Sequence, residues 1–323
     1  MTDDILFSAA DRIGTITLNR PRVLNALTPE MIAAMHAQLD AWAVDSSILA
    51  VVLKGEGKAF CAGGDIRAVR QASLDGEHEA NAQFFAKEYD LDYATSVFPK
   101  PYVSLIDGIC MGGGMGISMH AKYRVVTEKA MLAMPETAIG FFPDVGATYS
   151  LSRLPGGIGM YLGLSGARLS AADALYCGMA THFVPSDELG QLEAAIHSDP
   201  GEIADILDSL PRDAGESELA DHRAVIEEVF HGSDVLAIFA RLAEDESDWA
   251  YQTLRTLQTH APDAMRRTAA LIEAAKSMDL REALDAELAT ALEMIRTPDF
   301  IEGVRAMLVD KDRVPHWTSP SIA

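Results

Sequence analysis

Apolar positions along the first 185 residues fall into two alternating patterns. Short runs rich in β-branched residues, Ile13–Leu18, Ile48–Leu53, Tyr102–Ile106 and Arg124–Thr127, read as strands, whereas Pro29–Val44 carries apolar residues at helical spacing. Thr28 and Pro29 open that helix, because Thr28 can accept from free N–H groups and Pro29 has no N–H to leave unpaired. Strands alternating with helices predict an α/β architecture. Beyond Pro185 the strand pattern stops. Leu219–Phe230, Leu236–Leu242, Met265–Ala275 and Arg281–Ile295 place apolar residues on one helical face and charges on the other, so several helices are expected there. The expected organisation is an α/β core over residues 1–185 and an acidic helical C-terminal region, residues 186–323, that completes the fold. Gln71–Asn81 is polar and is expected to be a mobile loop or a loosely wound helix.

Charge sharpens this division. The chain has 323 residues and a formal net charge of −22. Residues 1–185 carry 14 basic and 19 acidic side chains, residues 186–323 carry 12 and 29. The acidic excess of the second part is most simply the solvated face of its helices. No basic run is present, which argues against nucleic acid as a partner. The longest charge-free runs, Gly108–Ala121 and Leu154–Ala167, are 14 residues each and glycine-rich, too short for a membrane span. The first residues, with Asp3 and Asp4, lack the basic start of a targeting segment. Cys61, Cys110 and Cys177 are far apart and odd in number, which points to a reduced, cytoplasmic protein without a disulfide framework.

Several motifs can be set aside. No segment matches GxxxxGK[ST], and Gly112, Gly114 and Ile117 miss the third glycine of a dinucleotide loop. Gly163–Ala167 and Gly116–His120 each lack the last glycine of a serine-hydrolase elbow. The nine histidines include no HxxxH or HExxH, so no metal site is expected, and His120 and His182 read as packed or hydrogen-bonded side chains.

Three segments then converge on one chemistry. Lys58–Ile66 is a strand end followed by small residues that let a ligand approach bare backbone. Gly108–Gly116 holds three successive glycines ahead of a helical run, so that glycine N–H groups open a helix. Two N–H donors from separate loops are what an oxyanion hole requires, since their dipoles are fixed before charge develops on a carbonyl oxygen. In Ala133–Gly146, Glu136 and Asp144 sit among Met, Phe, Ile and Val, where desolvation raises a carboxyl pKa into the range useful for acid–base work. Two tight turns, a helix-capping Glu136 and a turn-forming Asp144 are the structural alternatives.

With these residues in view, the chain resembles the crotonase (enoyl-CoA hydratase/isomerase) superfamily, and within it the 3-hydroxyisobutyryl-CoA hydrolase branch. Similar stretches run from Asn19–Leu27 through Met134–Gly140 to Ile301–Ala306, nearly the whole chain. The resemblance implies a crotonase-like spiral of ββα units, an acyl-CoA-binding catalytic core, and a helical C-terminal region that makes trimer-based contacts between copies. It implies Gly64 and Gly113 N–H groups as the oxyanion hole and Glu136 and Asp144 as the catalytic carboxylates. Glu136 then either attacks the thioester or acts as general base. Glu88 falls where the branch carries a substrate-contacting glutamate, its alternative being a surface charge beside Lys87. Arg22, Ala62, Asp65 and Ile66 match the coenzyme A segments, with Arg22 otherwise a plain surface charge. Coenzyme A is part of the substrate, and no further cofactor is implied. Hydratases carry a second glutamate just after the glycine triplet, where this chain has Gly116. A glycine supplies neither proton nor base, so thioester hydrolysis in valine breakdown is favoured over hydration. An enoyl-CoA hydratase or isomerase is the same-fold alternative, and a non-catalytic acyl-CoA-binding protein the alternative outside enzymes.

Overall fold

The computed structural model describes residues 3–211 and 213–322. Nine strands form two sheets: β1 (Ile5–Ala10), β2 (Ile13–Leu18), β3 (Ala50–Gly55), β4 (Ala59–Cys61), β5 (Tyr102–Ile106), β6 (Ile109–Met111), β7 (Tyr123–Val126), β8 (Met131–Ala133) and β9 (His182–Phe183). The larger sheet has the order β1-β2-β3-β5-β7-β9 and the smaller β4-β6-β8. Only the β1–β2 hairpin is antiparallel in the larger sheet, and β2, β3, β5, β7 and β9 run parallel. Parallel neighbours need crossovers, and helices supply them. The helix α1 (Pro29–Val44) joins β2 to β3, with the Thr28 hydroxyl accepting from Met31 N as the sequence predicts.

Contacts divide the chain into two compact units, each assembled from three segments. The first comprises Met1–Gly64, Asp90–Leu132 and Leu169–Ala220. Its core joins Ile13, Val52, Val103, Leu105 and Val125 of the sheet to Leu192, Ile196, Ile203 and Leu207 of two helices, Leu189–Ser198 and Ile203–Asp208. The second unit comprises Asp65–Tyr89, Ala133–Arg168 and Asp221–Ala323. Phe141 lies at its centre, 5.7 Å from the ring of Phe85 and 5.7 Å from that of Phe300.

The architecture is α/β with a mixed sheet, and beyond Pro185 every regular element among the described residues is helical. Gln71–Asn81 takes the helical rather than the loop form of the two expected. It is the junction of two helices, α2 (Ile66–Leu74) and α3 (His78–Ser96), with only residues 75–77 between them. Asn81 is buried and its side chain donates to Val69 O at 3.1 Å and Ser73 Oγ at 2.9 Å. The polarity that suggested a loop lies on the solvent side, where Gln71 donates to Asp75 one turn later. Among the described residues no helix is long and apolar enough to cross a membrane.

Candidate active site

In the first unit, two glycine loops end the short strands β4 and β6. Gly112 adopts φ 51° and N-caps the helix α4 (Gly113–Met119), so the glycine triplet opens a helix as the sequence predicts. Gly113 is its first residue, and the first N–H groups of a helix have no partner within it. The amide N–H groups of Gly64 and Gly113 find no acceptor among the described residues. The loops approach closely: Gly63 has φ 105°, and a Cβ there would lie 3.2 Å from Met111 O and 3.5 Å from Gly113 N. At Gly114 a Cβ would sit 2.3 Å from Cys61 O, a clash of backbone that only glycine avoids. Gly116 lies buried inside α4 and puts no side chain there.

Asn25, buried with φ 57°, braces the first loop from behind. Its side-chain amide donates to Ala59 O at 2.8 Å and is within reach of Glu56 O and Phe60 O, while its oxygen accepts from Arg20 N at 2.8 Å. Ala62 N donates to Leu24 O. Arg22 is exposed in the turn Pro21–Val23, and its charge makes no ion pair among the described residues. In the second unit, Asp65 N-caps α2 through Ala68 N at 3.3 Å, and Ile66 is the first residue of that helix.

The second unit assembles the carboxylates. Glu136 begins a 3₁₀ turn, Glu136–Ile139, closed by Gly140 at φ 73°. That turn is held tightly. A Cβ on Gly140 would meet Asp299 O at 2.4 Å and one on Gly303 would meet the Ile139 backbone at 2.4 Å. The Thr137 hydroxyl donates to Leu164 O at 2.9 Å and lies 3.0 Å from His260 Nδ1. Glu136 Oε2 is buried without a hydrogen-bond partner among the described residues. Burial first, then repulsion from Asp144 and Glu88, raise its pKa well above the ordinary carboxylate range.

Asp144 is also buried and receives a 2.7 Å hydrogen bond from the Tyr89 hydroxyl. Burial pushes its pKa up to about 7, although the Tyr89 hydrogen bond and a backbone hydrogen bond favour the anion. Glu88, one residue before Tyr89, is only 2% exposed, which excludes its reading as a surface charge beside Lys87. Its Oε1 has no hydrogen-bond partner among the described residues, and burial with repulsion from Asp144 raises its pKa well above normal. A fourth acid, Glu287, is fully buried and accepts from Gly146 N at 2.6 Å and Thr148 N at 3.0 Å. Burial pushes it up to about 8 against those hydrogen bonds.

Sequence reasoning found Glu88, Glu136 and Asp144, and the structure brings them together. It missed Tyr89 and Glu287, although a signal was present for both glutamates that lie on helices. Asn81, Phe84, Phe85, Glu88 and Asp92 share one buried stripe of α3, and Glu287 falls in line with Ala283, Leu284, Ala291 and Met294 on the buried stripe of the helix Leu280–Met294. An acid where helical period demands an apolar side chain is a candidate for chemistry.

Acids kept from water in one cluster are equipment for acid–base or nucleophilic chemistry, and backbone N–H groups without acceptors are equipment for holding developing negative charge. The chain belongs to the enoyl-CoA hydratase/isomerase family, whose model matches residues 13–323. It is similar to the mitochondrial 3-hydroxyisobutyryl-CoA hydrolase of Xenopus tropicalis, 43% identical over 97% of this chain and 84% of that protein. The mitochondrial protein of the same name from Homo sapiens is 41% identical over 98% and 84%. A solved enoyl-CoA hydratase from Rhodobacter sphaeroides superimposes with a TM-score of 0.92 at 39% identity, covering 99% of this chain and 94% of that one. A carnitinyl-CoA dehydratase from Mycobacterium thermoresistibile does so with a TM-score of 0.92 at 37% identity, covering 98% and 92%.

Proposed function

We propose that this chain hydrolyses acyl-CoA thioesters, with 3-hydroxyisobutyryl-CoA as the substrate and 3-hydroxyisobutyrate and free coenzyme A as products, in valine catabolism. The observation that carries the reading is the buried Glu136–Asp144 pair, combined with a helix α4 that presents Gly116 rather than an acid. The names of the Xenopus tropicalis and Homo sapiens relatives support the same substrate. In this reading the Gly64 and Gly113 N–H groups accept the charge that develops on the thioester oxygen. Glu136 either attacks the carbonyl carbon, forming an anhydride that water then opens, or removes a proton from the attacking water. Asp144, carrying a proton that the buried acids share, delivers it to the departing thiolate as the C–S bond breaks. Tyr89 keeps Asp144 oriented. Arg22 and the backbone at Ala62, Asp65 and Ile66 are proposed to hold coenzyme A, and the enzyme to work as a trimer-based homo-oligomer. The three cysteines are buried thiols without a disulfide, which suits a reducing compartment. The vertebrate relatives are named mitochondrial, so a cytoplasmic location is a proposal for fractionation to test.

The two solved structures carry hydratase and dehydratase names, which favours hydration as a second reading. One pair of assays separates them. Thiol release from 3-hydroxyisobutyryl-CoA with negligible loss of crotonyl-CoA absorbance supports hydrolysis. Rapid hydration with thiol release at background replaces it with the hydratase reading.

Glu88 has a distinct role in this scheme, hydrogen-bonding the 3-hydroxyl of the acyl group through Oε1, which has no partner among the described residues. A polar group left unsatisfied in a buried site costs about 1 to 3 kcal/mol. Replacing Glu88 with leucine, which keeps volume, should therefore lower the preference for 3-hydroxyisobutyryl-CoA over isobutyryl-CoA by about 5- to 150-fold in kcat/KM. An unchanged ratio removes Glu88 from substrate recognition.

A further inference from the structure

The segment after Asp144 has a backbone that its sequence does not favour. Val145 adopts φ 57° and Gly146 φ 78°, two successive residues in the left-handed region. Glycine enters that region freely, but a β-branched valine is strained there and persists only where surrounding contacts hold it. Glu287 supplies such contacts from the helix Leu280–Met294. Its Oε2 accepts from Gly146 N at 2.6 Å, and its Oε1 accepts from Thr148 N at 3.0 Å and from the Thr148 hydroxyl at 2.5 Å. Three donors converging on one side chain favour its ionised form, which only accepts, against the burial that opposes ionisation, whereas a glutamine would turn an NH₂ toward one of them. The residue just before the turn is Asp144, whose Oδ2 meets the Tyr89 hydroxyl.

We infer that Glu287 is a positioning residue: its buried carboxyl group grips Gly146 and Thr148, holds the left-handed Val145–Gly146 turn, and so keeps the Asp144 carboxyl in place against the Tyr89 hydroxyl that orients it. This rests on the thioesterase reading for its kinetic consequence but not for its structural one. Glu287 touches no reacting atom in this scheme. It acts through the backbone, which explains an acid at a core position of a helix outside the segment that carries Glu136 and Asp144.

The test is Glu287→Gln, with Thr148→Val as a milder companion that removes one of the three donors and keeps the shape. Misplacing a reacting group by a fraction of its hydrogen-bond length costs up to about 100-fold, so Glu287→Gln should lower kcat about 10- to 100-fold with KM within about twofold. Thr148→Val should lower kcat about 3- to 10-fold, again at constant KM. Crystal structures of the unmutated protein and the variants should show the Asp144–Tyr89 hydrogen bond kept in the first and lost or lengthened in Glu287→Gln. A variant with that bond intact, or with kcat within about twofold of the unmutated protein, overturns the inference. If Glu287→Gln does not fold, the same two criteria applied to Thr148→Val decide. If the unmutated protein releases no thiol, the thioesterase reading fails, and the crystal comparison still decides whether Glu287 places Asp144.

Discussion

Glutamine in place of Glu136 lowers thiol release from 3-hydroxyisobutyryl-CoA at least about 100-fold, with KM little changed. The substitution keeps shape and removes the capacity to attack a carbonyl or take a proton from water. The turn that carries Glu136 is held by the close packing at Gly140 and Gly303 and by the Thr137–His260 contact, and the Oε2 of its carboxyl has no hydrogen-bond partner among the described residues. Loss of activity in folded protein is therefore a loss of chemistry. The melting temperature should be kept or raised, because burial raises the Glu136 pKa and ionising that acid opposes folding. The gain applies above the ordinary glutamate pKa and vanishes in acid, where the unfolded chain is protonated too. Turnover close to that of the unmutated protein removes Glu136 from the reaction.

Asparagine at position 144 gives the second large effect, again at least about 100-fold in kcat. Its side-chain oxygen can still accept from the Tyr89 hydroxyl, so the 2.7 Å contact can survive while the titrating group is lost. In the unmutated protein the acids form an interacting set, and Asp144, at about 7, is the one whose anion the Tyr89 hydroxyl favours. kcat/KM should accordingly fall on acidification through about pH 7, as the set takes up a further proton and loses the carboxylate that acts as base or nucleophile, the proton that Asp144 passes to the thiolate being one the set already holds. The limb belongs to the set as a whole, not to one residue. A profile flat from pH 5 to 8, or a kcat for Asp144→Asn within about tenfold of the unmutated enzyme, contradicts a proton-handling role for Asp144.

Much of this was legible in the chain because it is local. Strand β2, strand β5 and helix α1 coincide with the segments read from periodicity, and Thr28 caps as its side chain allows. The glycine triplet opens a helix because a chain that must approach Cys61 O within 2.3 Å of a would-be Cβ can carry nothing larger. Glu136 and Asp144 stood out because acids are costly among apolar neighbours, a property of sequence neighbourhood alone. Gln71–Asn81 left loop and helix both open for a related reason: local polarity marks which residues meet water, not whether the backbone between them is helical.

The amino-acid sequence by itself determined the α/β pattern, the glycine loops, the two catalytic candidates and the missing acid at Gly116. Tertiary structure alone decided that Glu88 is enclosed, that Tyr89 meets Asp144, that Glu287 reaches Gly146 and Thr148 from a helix 141 and 139 residues further on, and that each compact unit is gathered from three separated segments. The physical reason is that period and composition fix which face of a helix or strand can be buried, whereas the partners that bury it come from distant parts of the chain, and a carboxyl group's pKa follows those partners rather than its neighbours in sequence.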